Sequence, residues 1–103
     1  MKFTEFNKKV WAALKLIPRG RVTTYKELAK YVGRPKAARA VGNACGRNPD
    51  APKVPCHRVV RSDGRIGWYS GGGKRKIELL KKEGVKVFKG EVEDFEKKVY
   101  KFK

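Results

Sequence analysis

Between residues 23 and 46 the sequence spells out two short helices complete with their starts and stops, "TTYKELAKYVG" and "RPKAARAVGNACG". This pair constrains the fold more than any other feature. Thr24 followed three residues later by Glu27 is a capping box, in which hydroxyl and carboxylate satisfy each other's backbone donors. The spacing predicts a helix from Tyr25 to Gly33. Pro35 suits the first position of a second helix, which runs to a glycine stop at Gly46. Two short helices joined by a tight glycine-containing turn form a helix-turn-helix. The second helix is nearly bare, because Ala37, Ala38, Ala40, Gly42 and Ala44 leave Arg39 projecting from a thin rod. Packing on a core accounts for one bare face but not for all of them, and small residues allow close backbone approach to a DNA groove as readily as to another helix. Lys36 and Arg47, at its two ends, join Ala37, Ala38, Arg39 and Gly42 as candidate DNA contacts.

Around this pair the remaining elements are simpler. Phe6, Val10, Trp11, Leu14 and Ile17 recur at helical spacing behind Thr4 as a cap, with "PRG" at 18–20 as the stop. Trp11 reads there as core rather than as a nucleic-acid contact. Prolines 49, 52 and 55 stiffen the stretch from Gly46 to Val59, since each fixes its own backbone angle and extends its predecessor. "HRVVRSDGRIGW" reads as a hairpin turning at Ser62, Asp63 and Gly64. "YSGGG" is a flexible or anion-cradling loop, and "KRKIELLKKEGV" is a helix stopped by Gly84. In the tail, Val92, Phe95 and Val99 stand at helical spacing within an alternation of apolar and charged residues that assigns no single element. The expected fold is mostly α with a small β-hairpin, a winged-helix-like domain containing a helix-turn-helix. One domain is expected over 1–103: helix-turn-helix about 24–46, active-site loop about 47–60, C-terminal helix about 73–84 and tail 85–103.

Charge points to the partner. Lys and Arg number 27 against 10 Asp and Glu, a formal net charge of +17 on 103 residues, and such a field favours a polyanion. From Leu28 to Ile77 the only acids are Asp50 and Asp63, against twelve basic residues. A lysine-rich solvated surface is the other reading, and it suits the termini better than this middle segment. No apolar run approaches the roughly 20 residues that span a bilayer, and "MKFTEFNKKV" lacks the apolar stretch of a signal peptide. The expectation is therefore a cytoplasmic protein with no membrane partner, whose Cys45 and Cys56 are reduced thiols. Two cysteines and one histidine without C-x-x-C spacing give no zinc set, so no metal and no cofactor are expected.

The chemistry concentrates in "VPCHRVV" at 54–60. A thiol at its ordinary pKa of about 8.5 is mostly protonated at neutral pH, yet the thiolate is the nucleophile. His57, the one histidine, is the candidate base for Cys56. Neighbours in an extended chain point to opposite sides, so a turn or a bridging water has to connect them. A histidine base needs an orienting partner. Glu83, in the last turn of its helix where the dipole disfavours an anion, is either that partner or an exposed acid paired with Lys81, Lys82 or Lys86.

"PCHRVV", with "TTYKELA", "KAARAVGNA", "GRNP" and "GWYSGG", resembles the active domain of O6-alkylguanine-DNA alkyltransferase, also called methylated-DNA-protein-cysteine methyltransferase, over roughly Phe6 to Val85. Most family members carry an additional N-terminal domain, so the resemblance implies the C-terminal active domain only. It implies irreversible transfer of an alkyl group from oxygen 6 of a flipped guanine in duplex DNA to Cys56, with His57 acting as base through a water and Glu83 orienting it. Asn48 resembles the asparagine that bonds around this water and braces the loop, and Arg39 the finger that fills the space of the flipped nucleotide. Tyr25 resembles the tyrosine that crowds the target phosphate and promotes flipping and protonation. Tyr69 and Ser70 resemble the lid over the guanine, with Val59 and Trp68 completing the pocket. Trp68 stands where many relatives have a small polar residue, and Cys45 where they often have a larger apolar one. The implied partner is double-stranded DNA containing O6-alkylguanine, bound by a monomer. Two other readings compete. One is a short alkyltransferase-like sensor of alkylated DNA, similar in length but carrying another residue, usually tryptophan, at the acceptor position. The other is a small basic architectural DNA-binding protein with a merely buried Cys56.

Overall fold

Thr4 caps the first helix by accepting a hydrogen bond from the Asn7 amide at 3.0 Å, and α1 runs over Glu5–Leu14. The structure, a computed structural model, describes residues 4–69 and 72–102. The apolar stripe of α1 places Val10, Ala13 and Leu14 in the core, and Trp11 donates its indole N–H to the Ala44 carbonyl at 2.8 Å. Trp11 is half-buried and packed against the core, and it ties α1 to the segment around Ala44.

Strand β1 (Thr23–Thr24) leads straight into α2 (Tyr25–Tyr31), and the Thr24 hydroxyl accepts from the Glu27 amide at 3.0 Å. Gly33 adopts a φ of +84°. Its amide bonds the Lys30 carbonyl while that of Arg34 bonds the Ala29 carbonyl, a Schellman stop. That stop overrides the expected start of the next helix. Because Arg34 is still closing α2 and the Ala37 amide bonds the Arg34 carbonyl at 2.9 Å, Pro35 and Lys36 lie in the turn. Helix α3 begins three residues after Pro35 and spans Ala38–Gly46, with Ala37 as a cap that offers no side-chain bond. The helix-turn-helix is present with a longer turn.

After the proline-rich loop, strand β2 (Val59–Val60) pairs in parallel with β1, Thr23 opposite Val59 and Thr24 opposite Val60. The predicted turn at Ser62–Gly64 forms, closed by Arg61 N–H to Arg65 O at 2.8 Å and by Gly64 N–H to Arg61 O at 2.9 Å. Its two arms do not zip together into strands. The first arm pairs with β1, and Arg65 bridges Glu91 of the tail. The antiparallel hairpin lies instead in the tail, β3 (Val87–Phe88) against β4 (Glu91–Val92). Helix α4 (Gly73–Lys82) precedes it, with Glu83 at its C-cap and Gly84 at a φ of +86°.

The tail has a definite course. Only Phe95–Lys98 is helical (α5), because Val99 is drawn into a parallel bridge with Val22 and the Val22 amide bonds the Lys98 carbonyl at 3.0 Å. Phe102 then stacks on Tyr31 with ring centroids 4.5 Å apart. Two apolar clusters result. The larger joins α1, α2 and α3 around Leu14, Leu28, Val41 and Val59, and the smaller joins Val22, Val60, Leu80, Val85 and Val92. The architecture is mostly helical with small sheets and contains a helix-turn-helix, as the sequence predicts. Among the described residues no helix is long and apolar enough to cross a membrane.

Candidate active site

Pro55 ends the stiff loop, and the chain then makes a single 3-10 turn over Cys56–Arg58, with the Arg58 amide bonded to the Pro55 carbonyl at 3.1 Å. This turn removes the difficulty of an extended pair, because successive side chains no longer alternate between opposite faces. Asn48 braces the loop from inside. Its side-chain NH2 donates to the Val54 carbonyl at 2.7 Å and its oxygen accepts from the Asp50 amide at 3.0 Å. Burial pushes the Cys56 thiol above its ordinary pKa, against which a hydrogen bond from Asn48 and the charge of Lys76 act. The resting sulfur is a thiol and needs a base.

His57, the candidate base, follows it in the chain. His57 is 1% exposed, and its Nε2 lies 3.1 Å from Glu83 Oε2. Glu83 is therefore the partner of the histidine and not an exposed acid paired with a neighbouring lysine. Burial alone would raise the Glu83 carboxyl, but hydrogen bonds from Arg58 and His57 hold it below the usual carboxylate range. An ionised Glu83 accepts a proton-bearing Nε2, which leaves the lone pair on Nδ1. That Nδ1 is buried and has no hydrogen-bond partner among the described residues. Burial lowers the His57 pKa, with Arg58 and Lys76 acting in the same direction and Glu83 opposing. The imidazole is thus neutral near pH 7 and carries a free acceptor.

Two residues of the centre escape a reading of the sequence. Arg58 grips Glu83 with Nε to Oε1 at 2.9 Å and Nη2 to Oε2 at 2.7 Å. Lys76 is fully buried and donates to the carbonyls of Val59 at 2.6 Å and Trp68 at 3.2 Å, with its ammonium 5.9 Å from the Tyr25 ring centroid. The signal for Lys76 is its spacing. Lys76, Leu79, Leu80 and Glu83 stand at i, i+3, i+4 and i+7, so a lysine in an otherwise surface-like "KRK" occupies the inward face of α4.

The remaining predicted residues divide between a groove and the core. A groove of about 990 Å³ is lined by Tyr25 and Lys26 of α2, by Ala38, Arg39, Gly42, Asn43 and Gly46 of α3, and by Arg47, Arg61, Ser62, Gly67 and Trp68. Lys36 stands exposed in the turn and Ala37 caps α3, and neither lines this groove. Trp68 is 64% exposed and packs against Gly46, where a Cβ would meet the ring at 3.0 Å. Tyr69 turns inward, 7% exposed and edge-on to His57 at 6.5 Å between centroids. Val59 is fully buried in β2, and its carbonyl is engaged by Lys76. Ser70 lies outside the described residues. Cys56 is 4% exposed and is not part of the groove wall. A second cavity of about 820 Å³, between α2 and the tail, contains none of the predicted site residues.

Burial pushes the Tyr25 hydroxyl far above its ordinary pKa, with the nearby Cys45 and Cys56 sulfurs adding to the rise, so Tyr25 remains a proton donor at any working pH. Burial likewise pushes Cys45 up to about 12, which leaves it an inert core thiol.

Residues 5–85 match the family model for the DNA-binding domain of 6-O-methylguanine DNA methyltransferase. The chain is 56% identical over 81 residues to the methylated-DNA–protein-cysteine methyltransferase of Methanosarcina acetivorans, an alignment covering 79% of this chain and 52% of that protein. It resembles the crystal structure of Mycobacterium tuberculosis OGT in complex with DNA at 49% identity and a TM-score of 0.78, over 80% of this chain and 51% of that one. It also resembles S. pombe Atl1 in complex with damaged DNA containing O6-carboxymethylguanine, at 37% identity and a TM-score of 0.85, over 99% of this chain and 100% of that one. The chain spans about half the length of the curated methyltransferases it matches.

Proposed function

The chain belongs to the 6-O-methylguanine DNA methyltransferase family, and from that premise we propose that it repairs DNA directly, moving an alkyl group from oxygen 6 of guanine onto Cys56. The observation that carries this reading is the His57–Glu83 hydrogen bond next in the chain to the buried Cys56, with an imidazole Nδ1 that has no hydrogen-bond partner among the described residues. A water bonded to Nδ1 passes the thiol proton to His57, and Glu83 stabilises the imidazolium that forms. The sulfur lone pair attacks the alkyl carbon in line as the carbon–oxygen bond breaks, and its electrons withdraw into the purine. The Tyr25 hydroxyl donates a hydrogen bond to the departing guanine as negative charge builds on it, and the proton the guanine finally takes up is the one the thiol released, passed on from the imidazolium through water. The product is a thioether with no proton to exchange and no route back, so each molecule acts once.

Reaching a base inside a duplex requires taking it out of the stack, at a cost of a few kcal/mol. Arg39, exposed on the bare α3 and facing the groove, fills the vacated space, while Ala38 and Gly42 let the helix approach the duplex closely. Lys26, Arg47 and Arg61 line the same groove and meet phosphate.

A second reading, binding of alkylated DNA without transfer, is favoured by one observation: the match to S. pombe Atl1 runs along essentially the whole of both chains. Cys56 with its oriented histidine argues for transfer. Titrating a duplex containing O6-methylguanine with the protein separates the two readings. Transfer removes one lesion per protein molecule and then stops, and Cys56→Ala binds the duplex without removing any. Binding that leaves the lesion count unchanged at excess protein would establish the sensor reading.

A further inference from the structure

Glu83 is held by two donors of unequal charge. Arg58 covers both carboxylate oxygens, at 2.9 and 2.7 Å, while His57 Nε2 shares Oε2 at 3.1 Å. The third guanidinium nitrogen, Nη1, donates to the Ile17 carbonyl at 2.8 Å, just beyond the end of α1. The side chains of Arg58 and Glu83 are 15% and 8% exposed, so the pair is shielded from solvent and its geometry is fixed at both ends. Fork-to-fork pairs of this kind are among the strongest polar contacts in proteins, and lysine does not reproduce them.

The arrangement bears on the proton inventory of His57. A buried carboxylate facing an imidazole alone would pull a proton onto it and hold it as imidazolium, and an imidazolium cannot accept a thiol proton. Here the guanidinium already balances the carboxylate charge, so Glu83 orients the ring by a hydrogen bond without also charging it. The other groups acting on His57 are Lys76 from α4, whose ammonium opposes a second positive charge, and the edge-on ring of Tyr69.

We propose that Arg58 is a positioning residue that keeps His57 neutral, with its lone pair on Nδ1, by neutralising the carboxylate that orients it. The role of His57 as a base rests on the repair reading above; its titration does not. As the chain has one histidine, its ring protons can be followed against pH by NMR in the whole protein without DNA. In Arg58→Gln the His57 proton affinity rises at least tenfold. In Arg58→Lys, which keeps a charge but cannot cover both oxygens, it rises at least threefold. In Glu83→Gln it falls, and adding Arg58→Gln to that variant shifts it by less than threefold further. An Arg58→Gln protein that keeps its dispersed spectrum with an unchanged or lower His57 titration overturns the proposal. If that variant does not fold, an unchanged titration in Arg58→Lys overturns it equally. Loss of alkyl transfer to DNA in the unaltered protein would sink the repair reading and leave this titration result standing.

Discussion

Replacing Lys76 by Met removes an ammonium from the interior and should change how stability depends on pH more than how large it is at neutrality. Burial depresses the Lys76 pKa from 10.5 to about 8, with the Cys45 and Cys56 sulfurs opposing. At about 1.4 kcal/mol for each tenfold change, keeping the proton on this group in the folded protein costs about 3 kcal/mol. Below pH 8 that cost is fully present. Between about 8 and 10.5 the unfolded chain still holds a proton that the folded protein has released, so stability rises with pH relative to a variant lacking the group. Met fills a similar volume and lifts the cost, but it strands the carbonyls of Val59 and Trp68, which Lys76 now satisfies. An orphaned buried acceptor costs about 1 to 3 kcal/mol. With two acceptors stranded the effects largely offset at pH 7, where the variant should fall within about 3 kcal/mol of the parent. By pH 10.5 the parent should have gained about 3 kcal/mol on it. Urea unfolding of both proteins at half-unit steps from pH 7 to 10.5 measures the difference directly, since ionisations common to the two cancel. Parallel stability curves across that range would refute the placement of a titrating lysine in the core.

Arg39→Ala should weaken repair in duplex DNA more than reaction with free O6-methylguanine; equal losses would show that Arg39 does not assist flipping. Asn48→Ala loses its bonds to Val54 and Asp50 and should cost about 1 to 2 kcal/mol in thermal or urea unfolding, with faster amide exchange across residues 50–54. Phe102→Ala removes a ring stacked 4.5 Å from Tyr31 and 5.1 Å from Tyr100. It should cost about 1 to 2 kcal/mol and expose the Tyr100 amide, now bonded to the Val22 carbonyl, to rapid exchange.

The parts of this molecule that are legible in its sequence are those decided locally. The Thr24–Glu27 box and Gly33 fix α2 because caps and left-handed stops act within a few residues. The Cys56–His57 pair and its acid are legible for a related reason: an acid at the C-terminal end of α4 opposes the helix dipole, and the structure gives that acid a partner from elsewhere. Helix α3 starts later than Pro35 suggests because the stop of α2 consumes Arg34, a competition between two local signals that neither one reveals. Val59–Val60 and Arg65 look like the two arms of one hairpin, but each finds a partner in a segment distant in sequence. The tail carries no local signal strong enough to place it, since its course follows backbone bonds from Val22 and the ring of Tyr31. Arg58 gives no sign of its grip on Glu83, because the two approach only once α4 has docked against the turn at Cys56.

The most direct test of the account is the mass of the intact protein after incubation with a duplex containing one O6-methylguanine. The protein should gain a single methyl group, peptide mapping should put it on Cys56, and Cys56→Ala should gain nothing. A protein that binds this duplex and emerges unchanged in mass, or that carries the methyl on Cys45, would contradict it.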